Sequence, residues 1–77
     1  MLTDAIDTYM AVRRSAGFDL TEDERNLRSF ARFARAQGDT VIVAATAIVW
    51  AGQGKSEAQR ANRLNIVIRF ARLSAFT

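Results

Sequence analysis

Apolar positions recur along the chain at helical spacing and are interrupted at a few defined places. From Thr3 to about Ala16, Ile6, Tyr9, Met10 and Arg13 follow an i, i+3, i+4, i+7 course, which puts them on one helix face. Thr3 stands where an N-cap belongs, and Asp4 and Asp7 fall near the positive end of the helix dipole. Arg13 and Arg14 close this helix, and Gly17 can take the left-handed conformation that ends it. The next periodic stretch opens with Thr21-Glu22-Asp23-Glu24, spelled as a capping box in which Thr21 and Glu24 would satisfy each other's free amides. Leu20 precedes it at the staple position. Leu27, Phe30, Ala31 and Ala34 form the apolar stripe of this second helix, Phe33 flanks it, and Gly38 ends it.

Val41-Ile42-Val43 has the β-branched composition of a strand, but a lone strand has nothing to pair with in this chain. The segment is therefore expected to be an extended lead-in to a short helix from about Ala44 to Ala51, with Trp50 in the core. Gly52-Gln53-Gly54-Lys55 reads as a flexible loop. Ser56-Glu57-Ala58-Gln59 spells a second capping box and opens a helix that runs to about Ser74. Leu64, Val67, Ile68 and Ala71 share one face of it, and Ile66, Phe70 and Leu73 another. A helix apolar over most of its circumference belongs at the centre of a bundle. The expected fold is all-α, a compact four-helix bundle in a single domain over residues 1–77.

A chain of 77 residues has room for one modest core, and domains of this size often need disulfides, a metal or a partner. The sequence contains neither Cys nor His, so a disulfide framework and a zinc site built on those ligands are both excluded. Helix packing must supply the support, and the 49% hydrophobic content allows it. The common nucleophile–base pairs cannot be built without His or Cys. The acidic residues sit at helix starts, where capping accounts for them, and Gly52 to Ser56 is too short for a phosphate loop. No enzyme, metal or cofactor is expected. Met1 leads into Leu2-Thr3-Asp4 with no signal-peptide pattern, and the apolar run from Val41 to Gly52 is too short to span a bilayer. A soluble cytoplasmic protein with no membrane partner is the expectation.

Formal charge is +3, and of the 11 basic residues only Lys55 is not arginine. Arginine forms bidentate forks on phosphates, which favours nucleic acid as a partner, although a GC-rich genome would produce the same bias. Placement is more informative than total. Arg25, Arg28, Arg32 and Arg35 fall within roughly 80° of arc on the second helix, a stripe expected to be exposed. An ordinary solvated face, with Glu22 pairing Arg25, would look the same. The last helix opens with Lys55, Ser56, Arg60, Asn62 and Arg63, where backbone amides, dipole and arginines together suit a phosphate. The competing possibility is that Arg60 and Arg63 lie back over the bundle end. Asn65, Arg69 and Arg72 continue the polar arc as solvated surface.

In their order, the stretches Tyr9 to Phe18, Leu27 to Ala34, Trp50-Ala51 and Ala61 to Arg72 resemble the N-terminal core-binding domain of tyrosine recombinases, or phage integrases, a SAM-like helical domain. Ile68 stands where that family commonly has Arg, and Val43 where a capping Ser or Thr is usual. The resemblance implies one jaw of a clamp around a recombination site, with the second and fourth helices at the major groove. The strand-cutting machinery lies in a separate C-terminal domain, so the chain would be a fragment of a longer recombinase. Carried over by position, Thr21, Arg25 and Arg28 of the second helix would face DNA. So would Lys55, Gln59, Arg60, Asn62 and Arg63 around the start of the fourth, with Gln59 and Asn62 as base readers. The partners implied are double-stranded DNA and the catalytic domain of the parent, with self-association on DNA left open. The alternative is a helical protein–protein interaction module without DNA binding, in which Phe70, Leu73 and Phe76 dock a partner helix.

Overall fold

A computed structural model of the chain describes residues 2–74, and among them four helices and no strand. They are α1 (Leu2–Ser15), α2 (Thr21–Ala36), α3 (Ala44–Ala51) and α4 (Glu57–Ser74). α1 begins two residues earlier than its capping pattern suggests, so Thr3 lies inside the helix rather than capping it. α2 packs against the other three helices and so does α4, while α1 and α3 do not meet. The two long helices thus form the spine, as the apolar circumference of α4 predicts.

The core is aromatic at both ends. Trp50, Phe30, Phe70, Ile6, Met10 and Leu27 are its largest fully buried side chains. Phe30 meets Trp50 edge-on with ring centroids 5.4 Å apart, joining α2 to α3. Tyr9 meets Phe70 in the same way at 5.2 Å, joining α1 to α4. Phe70 is therefore wholly enclosed and cannot dock a partner, which removes it from the interaction-module reading. Leu73 is 41% exposed, and Phe76 lies outside the described residues. α3 buries Ala47, Trp50 and Ala51 and turns Ile48 and Val49 outward. The Cα radius of gyration is 11.9 Å, close to the roughly 11.5 Å expected of a single compact domain of this length.

The helix ends explain the boundaries. Gly38 at φ +84° lets Asp39 N–H reach the Ala34 carbonyl (3.0 Å) and Gly38 N–H reach that of Arg35 (3.0 Å), a Schellman closure of α2. Asp39 then accepts from the Thr46 hydroxyl at 2.6 Å, tying the Val41-to-Val43 lead-in across to α3. Val43 supplies α3 with its carbonyl alone, accepting from Ala47 N–H at 3.0 Å. At the start of α2 the expected Thr21–Glu24 box does not form. The Asp19 carboxylate accepts from both the amide (3.3 Å) and the hydroxyl (3.0 Å) of Thr21, and Glu24 is engaged elsewhere. Gly52 to Lys55 is a tight turn rather than a slack loop: Gly52, Gln53 and Gly54 each donate to an α3 carbonyl, and Gly54 is buried.

Candidate nucleic-acid interface

The start of α4 is built on glycine backbone. A Cβ on Gly54 would lie 3.0 Å from Arg60 Cγ and 3.1 Å from Arg60 N, so any larger residue would press on the first turn of α4. Ser56 Oγ accepts from Gln59 N–H at 3.1 Å, and Gln59 Oε1 accepts in return from Lys55 N–H. The capping box thus forms with its return arm on Lys55 instead of Ser56. Arg60 donates from Nη1 to the Gly54 carbonyl at 3.1 Å. Arg63 lies over the Trp50 ring, 5.1 Å from its centroid, and donates from Nη1 to the Trp50 carbonyl at 3.4 Å.

The Trp50 carbonyl belongs to the last turn of α3, where the helix dipole is negative, and the Gly54 carbonyl lies in the turn that follows. The two guanidiniums are therefore held in place, and among the described residues no carboxylate pairs with either to cancel its charge. They do lie back over the bundle end, each using part of its donor fork. From Arg63 the contact continues through Trp50, whose Nε1 donates to Ser29 Oγ at 3.2 Å on α2. One indole therefore spans the gap between the start of α4 and the middle of α2, with Arg25 and Arg32 each one helical turn from Ser29.

The start of α2 is different. Arg28 pairs with Asp7 of α1 at 2.6 Å and with Glu24 at 3.0 Å, and Glu24 also receives Arg14. Hydrogen bonds from Arg14 and then Arg28 hold the Glu24 carboxyl below the ordinary glutamate value. The hydrogen bonds that Arg28 donates to Asp7 and Glu24 raise its own value above the ordinary arginine value. Two cations and two anions close a neutral network that docks α1 on α2. Arg28 is thus half-buried in the seam with both its partners acidic, rather than standing free on an exposed stripe. Arg25 reaches Glu22 at 3.5 Å with both side chains largely in solvent, a pairing of little strength. Asp23 pairs with Arg69 of α4 at 3.4 Å, so Arg69 has an inter-helix partner instead of simple solvation.

Of the residues the sequence puts forward, the structure clusters Lys55, Gln59, Arg60 and Arg63 at one capped helix start, with exposed Asn62 beside them. Arg25 is exposed across the Ser29–Trp50 bridge, while Thr21 and Arg28 are occupied by carboxylates. Two further arginines on α2, Arg32 and Arg35, are exposed and make no ion pair among the described residues. Their freedom has a sequence signal, since no acid stands three or four residues before either one. Among the described residues no group of His, Cys, Asp or Glu could hold a metal ion. No helix among them is long and apolar enough to cross a membrane.

The chain is 42% identical over 74 residues to the "Putative integrase/recombinase y4rB" of Sinorhizobium fredii (strain NBRC 101917 / NGR234). The match covers 92% of this chain and 23% of that protein, so the chain spans less than a quarter of its relative's length. Likeness running through nearly the whole chain supports a relationship with an integrase-type protein. No protein-family profile matches the chain, and no solved structure does.

Proposed function

We propose that this chain is the DNA-binding domain of a site-specific tyrosine recombinase or integrase, of the SAM-like core-binding type. It grips the recombination site without cutting it, and the catalytic domain lies in the rest of a longer parent protein. The observation that carries the proposal is the 42% identity to an integrase/recombinase across 92% of the chain. The capped, positively charged start of α4 supports it independently.

In this reading the free amides and dipole of α4, with Lys55, Arg60 and Arg63, neutralise phosphates. Guanidiniums held by the Trp50 ring and by the Trp50 and Gly54 carbonyls lose little further freedom on binding, which favours contact. Gln59 spends its oxygen on the cap and keeps its amide hydrogens to donate to a base edge, and Asn62 stands beside it. Arg25, and with it Arg32, extends the contact along α2. Thr21 and Arg28 serve chiefly to fix the start of α2 and its seam with α1.

The test is fluorescence anisotropy of the 77-residue chain on a generic labelled duplex, read at rising salt. Binding at about 50 mM salt that weakens tenfold or more by about 200 mM is expected of a contact resting on several phosphates. No binding at low salt would reject the proposal.

A further inference from the structure

A groove of about 570 Å³ runs between α1 and the last turn of α4, on residues the proposed DNA contact does not use. Its floor and walls are mostly apolar, with Ala5, Tyr9, Val12, Phe18 and Leu73 among them. Val12 is 61% exposed and Phe18 53%, so the groove is open to a visitor. Its two charged lining residues are Asp4 and Arg13, nine residues apart on α1, which separates them by about 13–14 Å along the axis.

Arg13 is the informative residue. Its guanidinium carbon lies 4.7 Å from the Phe18 ring centroid and 5.8 Å from that of Tyr9. Its Nε is buried and has no hydrogen-bond partner. Neighbouring Arg14 takes Glu24, but among the described residues no carboxylate pairs with Arg13. That nitrogen is shut off from solvent, so an incoming anion would meet the outer guanidinium nitrogens, and the two rings leave the group little freedom to swing away. The groove therefore offers an apolar trough about one short peptide long, with an unmet cation at one end.

We propose that this groove docks a peptide segment of a protein partner, with a bulky apolar side chain on Val12, Phe18 and Leu73 and a carboxylate on Arg13. The partner segment lies along α1 with its acidic residue toward the Ala16 end. A cation toward Asp4 would complete the match.

The probe is the tripeptide acetyl-Leu-Phe-Glu-amide, titrated into the isotope-labelled 77-residue chain, with the same tripeptide ending in glutamine as control. The readouts are the Arg13 Nε–H resonance and the Val12 and Leu73 methyls. The expected result is saturable movement of all three by the acidic peptide, at least fivefold weaker with the glutamine peptide and equally weakened in Arg13→Gln. Equal shifts with both peptides, or none up to solubility, would overturn the proposal. Two further outcomes would also overturn it. One is groove resonances that move with protein concentration alone, which makes a second copy the occupant. The other is a groove that opens to the peptide only in Phe76→Ala, which makes the chain's own end the occupant. None of these readouts involves DNA, so they stand or fall apart from the DNA-binding proposal.

Discussion

The seam between α1 and α2 and the seam between α3 and α4 use the same residue type to opposite effect. In the first, Arg14 and Arg28 meet Asp7 and Glu24, and the charges cancel. In the second, Arg60 and Arg63 meet carbonyls and an indole, and the charges persist. Both arrangements immobilise long side chains, but only the second leaves a field that a polyanion can feel. Arginine content alone therefore says little about nucleic-acid binding. What an arginine is held by decides whether its charge remains available.

The comparison breaks most completely at Trp50. Replacing this buried ring with alanine should cost about 3–5 kcal/mol. A domain of this length has roughly 4–12 kcal/mol to lose, so Trp50→Ala should melt tens of degrees lower or fail to fold in a thermal scan. Gly54→Ala comes next. Crowding against the Arg60 backbone should destabilise by about 1–3 kcal/mol and displace the start of α4. DNA affinity should then fall although no charge has been removed, which calorimetry and anisotropy on the same sample would show.

The neutral seam makes its own demand on pH. Glu24 has a lowered folded-state pKa, so its contribution to stability is complete above the ordinary glutamate value and fades as pH falls through the depressed one. Denaturant midpoints measured from neutral pH down into the acid range should decline less steeply in Glu24→Gln than in the parent. The smallest effect belongs to Arg25→Ala. Its exposed pairing with Glu22 implies a stability change within about 0.5 kcal/mol by denaturant melt. If Arg25 touches one phosphate, the slope of log K against log salt should become shallower by about 0.9.

Much of the architecture is legible in the residue pattern because it is local. The helices fall close to where periodicity and glycine place them, and the β-branched Val41-to-Val43 stretch resolves as a lead-in, with no strand among the described residues for it to pair with. What escapes the sequence is non-local. The Thr21–Glu24 box is well spelled, yet Asp19 reaches Thr21 first, and Arg14 and Arg28, one of them on another helix, draw Glu24 away. The Asp23–Arg69 pair joins residues 46 positions apart, which no window along the chain could propose. The candidate site divides the same way. The cluster at the start of α4 is contiguous and legible, whereas the neutralisation of Arg28 depends on Asp7, a residue of another helix.

The most direct test compares the salt dependence of duplex binding for the parent, Arg60→Ala/Arg63→Ala and Arg28→Gln, each shown to be folded by circular dichroism. If the α3–α4 seam holds the available charge, the double variant should lose affinity and its log K against log salt slope should become shallower by about 1.8. Arg28→Gln should melt at a lower temperature yet keep the parental slope. An unchanged slope in the double variant, or an equal loss in Arg28→Gln, would contradict the account.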